Sequence, residues 1–209
     1  MLIIGLTGSI GMGKSAAAAA FRADGVPVCD ADAEVHKLYA AGGAAVAPIE
    51  VAFPDTTTAD GVDRQKLAAL LLREPAGFKT LEAIVHPLVQ AAERAFLGAA
   101  KAEKHWAAVL EIPLLFEGGG DKAVDATVVV SAPLAMQRAR VLARPGMTVA
   151  KFEQINARQW PDTKKRAAAT FVVDTGGTMA STVEQIGVVL RELRAGKVSM
   201  RAYDTYWRP

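Results

Sequence analysis

The chain has 209 residues, 51% of them hydrophobic and 22% charged, with a formal net charge of +2. This describes one globular domain with a real core, with or without insertions, and excludes a disordered chain. The near-neutral balance gives no broad basic field, so nucleic acid is not an expected partner; the single cysteine, Cys29, excludes an intramolecular disulfide and a cysteine metal cage.

Leu2-Ile3-Ile4-Gly5-Leu6 reads as a short buried strand. It leads into Gly8-Ser9-Ile10-Gly11-Met12-Gly13-Lys14-Ser15, which fits the phosphate-binding pattern G-x-x-x-x-G-K-[ST]. Ala16 to Phe21 is a strong helix-forming run. A strand, a glycine turn and a helix start make a cradle of backbone N–H groups, and the helix dipole favours an anion there. Lys14 is then expected to reach the β/γ-phosphates of a nucleotide, and the Ser15 hydroxyl to ligate Mg²⁺.

Gly25 breaks the first helix, and Val26 to Cys29 reads as a second strand, with Cys29 a small buried side chain. Asp30-Ala31-Asp32 follows, then a helix over Ala33 to Tyr39. Residues 42–61, with Gly42-Gly43, Pro48 and Pro54, read as loop. Asp63 can cap a helix carrying Leu67, Leu70 and Leu71. A longer helical stretch runs from Phe78 to Ala102, and Pro87 is expected to restart or kink it. Trp106 to Ile112 is a third strand, followed by Pro113-Leu114-Leu115-Phe116-Glu117. Asp125 to Val130 is the clearest strand by β-branching. Ser131 and Pro133 open a helix expected to carry Arg138, Arg140 and Arg144. Thr148 caps the next helix, and Pro161 starts another with Lys164, Lys165 and Arg166. Thr170 to Asp174 is the fifth strand. Ser181-x-x-Glu184 reads as a capping box opening the last helix. The tail from 196 holds Tyr203, Tyr206 and Trp207 and reads equally as loose or packed.

Alternating strands and helices predict an α/β fold: a three-layer parallel five-stranded sheet. Ligands in such sheets bind beyond the carboxyl ends of the strands. That rule selects the glycine loop, Asp30 to Asp32, Glu111 to Glu117, Ser131 and Asp174 to Gly177. At the start of the chain no basic n-region precedes a long apolar stretch. No segment approaches the roughly 20 apolar residues of a membrane span. A cytoplasmic protein with no membrane partner is expected.

Phosphoryl transfer needs the moving charge neutralised and an acceptor hydroxyl placed in line. Asp30 or Asp32 can orient or deprotonate an alcohol, and either can instead cap a helix. Arg140 and Arg144, four apart, are expected to share a helix face. With Arg158 and Arg166 they are candidate phosphate clamps on a basic lid that excludes water. His86 reads as structural or as a ligand contact. Glu111 reads as a water-mediated helper or a surface carboxylate.

Taken together, these residues resemble the dephospho-coenzyme A kinase family of P-loop kinases. The resemblance rests on Leu6 to Ser15, Asp30-Ala31-Asp32, His86-Pro87-Leu88, Ile112 to Glu117, Gln154-Ile155 to Arg158-Gln159, and Phe171 to Asp174. It implies a fold of the P-loop kinase type in one domain over 1–209. The core would be about 1–30, 105–137 and 168–195, with a helical acceptor-binding insertion at 31–104, a helical lid at 138–167 and a tail at 196–209. It implies transfer of the ATP γ-phosphate to the ribose 3′-hydroxyl of dephospho-CoA, with ATP and Mg²⁺ required. Lys14, Asp32 as base, and Arg140 would be catalytic. Gly8 to Ser15, Arg144, Asp174 and Gly176 would bind ATP. Asp30, Asp32, His86, Leu114, Phe116 and Glu117 would bind the acceptor, and Ser15 the metal. A monomer or weak homo-oligomer is expected. The sequence departs from the family at Thr175, where Asn is frequent, and at Pro145, where a polar or acidic residue is usual. The rival readings are another small-molecule kinase, for a nucleoside or nucleotide, and a GTP-dependent switch. Against the switch, the chain holds no Asn-Lys-x-Asp guanine-reading motif.

Overall fold

A computed structural model describes residues 1–208. In chain order the elements are β1 (Leu2–Thr7), α1 (Lys14–Ala23), β2 (Val28–Asp30), α2 (Ala31–Tyr39), α3 (Val46–Ala52), β3 (Thr57–Thr58), β4 (Gly61–Val62), α4 (Arg64–Arg73) and α5 (Gly77–Ala102). They continue with β5 (Ala107–Glu111), β6 (Ala126–Ser131), α6 (Leu134–Leu142), α7 (Val149–Ala157), α8 (Asp162–Ala168), β7 (Phe171–Asp174) and α9 (Met179–Arg194). The chain divides into two compact units, Met1–Cys29 with Leu97–Pro209, and Asp30–Phe96.

The first unit is built on a five-stranded sheet of order β2-β5-β1-β6-β7. β1 pairs in parallel with β5 and β6, and β6 with β7. Every residue of β1, β5 and β6 is buried, which is why these strands read as continuous apolar runs rather than alternating ones. Leu2, Ile4, Leu6, Val128 and Val130 pack with Ala17, Ala18 and Phe21 of α1 and with Ile186, Val189, Leu190 and Leu193 of α9. The oppositely directed Ile3, Leu110 and Val129 are fully buried as well. Cys29 is buried, as expected.

The tail, undecided by sequence, is packed in the first unit. Residues Tyr203–Trp207 form a π-helical turn that buries Tyr203 and Trp207. Trp207 Nε1 donates to the Ala123 carbonyl at 2.7 Å, and Asp125 Oδ1 accepts from Arg201 N and Ala202 N at 2.7 and 2.8 Å.

The second unit closes around Ala45, Ile49, Phe53, Leu67, Leu71 and Val85. Two expectations fail here. Residues 42–61 are not simply loop: they hold α3 and the β3–β4 hairpin, paired Thr57 to Val62 and Thr58 to Gly61. Pro48 misleads because it lies in the first turn of α3, where its missing N–H costs nothing. Pro87 does not restart the helix, one of the two outcomes expected of it; α5 runs from Gly77 to Ala102 through it. An interior proline costs about 3 kcal/mol. Val85 is buried on that helix, and Leu81, Ile84, Leu88 and Val89 pack on the same cluster. At about 1.5–3 kcal/mol per buried large apolar side chain, that face outweighs the proline.

The last helix is capped by Thr178, whose hydroxyl accepts from Ser181 N at 3.1 Å, so Ser181 lies inside α9 rather than at its start. α6 ends at Leu142, so Arg144 lies beyond it and does not share a helix face with Arg140.

Candidate active site

The chain leaves β1 at Thr7 and enters α1 at Lys14 through the glycine loop. A Cβ at Gly8 would sit 2.5 Å from Val130 Cγ2 and 2.7 Å from the Val130 carbonyl oxygen, so only glycine lets the loop pass β6. Gly13 is the N-cap of α1 with φ of 87°, a left-handed conformation. It offers no side-chain oxygen to the first-turn N–H groups, of which that of Ala16 donates to the Gly13 carbonyl at 3.1 Å. Lys14 folds back over the loop and donates from Nζ to the Gly8 carbonyl at 2.9 Å. Ser15, next along the helix, is exposed.

Thr175 braces the loop from β7. Its Oγ1 donates to the Met12 carbonyl at 2.7 Å, with the Ser131 carbonyl at 3.1 Å. It is buried, and so is compatible with a structural role in the turn where the family frequently carries Asn. In the same turn Asp174 Oδ1 accepts from Gly176 N at 2.7 Å. The Gln185 side chain bonds both the N–H and the carbonyl of Asp174. Beside this turn lies a cavity of about 240 Å³ lined by Gly13, Ala16, Arg140, Thr175, Met179 and Thr182 among others. Arg140 Nη2 donates to the Thr175 carbonyl at 2.8 Å, while its Nη1 is buried without a hydrogen-bond partner. A buried donor left unpaired is costly. Arg144, Arg158 and Arg166 are exposed.

After β5, Leu114 is exposed, while Phe116 is buried and stacks on Trp160 with ring centroids 5.6 Å apart. Glu117 Oε1 accepts from Trp160 N at 2.6 Å and from Lys165 Nζ at 3.0 Å; its Oε2 is buried and unpartnered. Lys165 is fully buried and also donates to the Pro113 carbonyl at 3.2 Å, which Thr7 Oγ1 bonds too. In sequence, Lys165 is one of three consecutive cations. Asp162, three residues earlier, lies on the same face of α8. Asp162 in turn accepts from Ser131 Oγ at 2.7 Å. Glu111 is buried, not the surface carboxylate that was one of its two readings.

In the second unit Asp30 closes β2 and caps α2, its Oδ1 accepting from Ala33 N at 3.1 Å. Asp32 is exposed in the first turn of α2, and His86 is exposed on α5. Glu93, also on α5, went unremarked in the sequence. It is buried, and burial, with the nearby Glu34 charge, pushes its carboxyl up to about 7.

The model of the dephospho-CoA kinase family matches residues 2–181. The chain belongs to that family. The dephospho-CoA kinase of Agrobacterium fabrum is 52% identical over 195 residues, covering 93% of this chain and all of the relative. A crystal structure of a Thermus thermophilus protein superposes with a TM-score of 0.79 at 36% identity, over 92% of this chain and 97% of that one. The dephospho-CoA kinase from Campylobacter jejuni shares the fold, with a TM-score of 0.68 at 21% identity, over 93% of this chain and 98% of that one. The five-stranded sheet with its glycine loop is therefore the P-loop kinase fold that the resemblance implied. Among the described residues, no helix is long and apolar enough to cross a membrane, and no three His, Cys, Asp or Glu side chains could together hold a metal ion.

Proposed function

We propose that this chain transfers the γ-phosphate of ATP to the ribose 3′-hydroxyl of dephospho-CoA, giving CoA and ADP. The observation that carries this reading is the 52% identity to a dephospho-CoA kinase along nearly the whole chain. On this reading the hollow of Gly8 to Ser15 holds the polyphosphate, and Lys14 exchanges the Gly8 carbonyl for the β/γ-phosphates. Arg140 offers its unpaired Nη1 to phosphate charge, and Arg144 adds a second guanidinium. The cavity beside Asp174 and Gly176 takes the adenine. Asp32 accepts the proton of the 3′-hydroxyl as the phosphoryl group moves, and Asp30 keeps α2 capped beside it. His86, Leu114, Phe116 and Glu117 contact the acceptor. The Ser15 hydroxyl, a hard oxygen exposed at the start of α1, would hold Mg²⁺. When bound it would supply positive charge to neutralise the transferred group.

Residues 31–104 carry the acceptor, and residues 138–167 form a lid that keeps water from the phosphoryl group. The protein acts in the cytoplasm as a monomer or weak homo-oligomer. Coupled ADP release with purified dephospho-CoA, ATP and Mg²⁺ tests the reading. Turnover with dephospho-CoA is expected. Phosphorylation of a nucleoside, but not of dephospho-CoA, in a parallel panel would overturn it.

A further inference from the structure

One residue of the glycine loop is held at both of its backbone groups by side-chain amides. Gln137 Nε2 donates to the Ile10 carbonyl at 2.9 Å, and Ile10 N–H donates to Gln159 Oε1 at 2.9 Å. The partners fix which amide atom each glutamine presents: a carbonyl needs a donor and an N–H needs an acceptor. Gln137 is 2% exposed on α6, so its amide has been taken out of water to make this contact. Gln159 lies just beyond α7, next to Trp160, whose N–H is bonded to Glu117. The two glutamines therefore stand at either end of the segment 138–158, and both ends of that segment meet on Ile10.

We propose that Gln137 and Gln159 are positioning residues for nucleotide binding. They orient the Ile10 backbone before ATP arrives, so the N–H groups nearer α1 face the phosphates without a reorganisation cost. The Ile10 N–H is itself spent on Gln159, so Ile10 serves the loop through its conformation. The same contacts tie both ends of the 138–158 segment to the loop. The inference rests on the ATP-binding role proposed above.

The test measures the Kd of a non-hydrolysable ATP analogue by calorimetry on the full chain, with KM for both substrates, kcat and Tm. Gln159→Leu and Gln137→Met each remove one hydrogen bond at nearly constant volume. Each is expected to raise the Kd and KM for ATP about tenfold, with the acceptor KM unmoved. Gln159→Glu keeps an acceptor oxygen and should recover affinity to within about threefold of the parent. Gln137→Glu sets a carboxylate against a carbonyl and should not recover. The opposite response of the two positions to the same substitution is what a packing role would not produce. Equal losses for Gln159→Leu and Gln159→Glu, or ATP affinity within about twofold of the parent for Gln159→Leu, would overturn the proposal. Gln159 is partly exposed, so its pair of variants decides the matter even if the Gln137 variants do not fold. A parent protein that binds no ATP analogue would overturn the functional reading instead.

Discussion

Replacing Lys165 by methionine removes a fully buried ammonium while keeping most of its volume. Two contacts go with it: the ion pair to Glu117 Oε1 at 3.0 Å and the hydrogen bond to the Pro113 carbonyl at 3.2 Å. The Glu117 carboxylate is then left with only the Trp160 N–H, and its Oε2 is already buried without a partner. Breaking a buried pair on one side costs about 3–5 kcal/mol, because the remaining charge stays desolvated. For a chain of this size that corresponds to a fall in Tm of roughly 6 to 20 °C. The double variant Lys165→Met with Glu117→Gln removes both charges and is expected to regain most of the loss. Urea denaturation of the parent, the two single variants and the double variant closes the cycle. A loss below about 1 kcal/mol in Lys165→Met would refute the argument, because that is the behaviour of a solvated surface pair.

Asp32→Asn is expected to lower kcat at least about a hundredfold while ATP binding persists, because a base acts in the transition state; full kcat in this variant would remove Asp32 from that role. Lys14→Ala should weaken ATP binding and turnover together, measured by analogue binding and steady-state kinetics. Glu93 has its carboxyl raised from 4.5 to about 7 by burial and by Glu34. The folded state therefore holds a proton that the unfolded state releases between those values, so the Glu93 contribution is fully present below about pH 4.5 and is lost as pH rises towards 7 and above. Glu93→Gln should make Tm less sensitive to pH over this range, with its largest gain over the parent at about pH 8. An unchanged pH profile would contradict the burial argument.

The glycine loop was legible in sequence because its geometry is local: a strand, glycines at set positions and a helix start lie within fifteen consecutive residues. The sheet was legible for a related reason. Strands buried on both faces must be apolar throughout, and the helices between them leave few topologies. Asp63 and Thr148 cap where their sequence positions suggested, whereas Ser181 yielded to Thr178 because both have a hydroxyl and only the packing of α9 chooses the first turn. Pro87 shows the limit more sharply. Its local cost is real, yet α5 continues because Val85 and its neighbours bury a face that no short window can weigh. Lys165 and the two glutamines on Ile10 lay further out of reach. A buried lysine and a surface lysine are the same letter, and the partners Glu117 and Ile10 become neighbours only when the strands are laid side by side. Sequence by itself determined the kind of ligand and the layered plan, because backbone sterics and hydrophobic periodicity act over a few residues. Tertiary structure alone decided which polar side chains are taken out of water and what satisfies them, because desolvation depends on everything packed around a group and not on what flanks it.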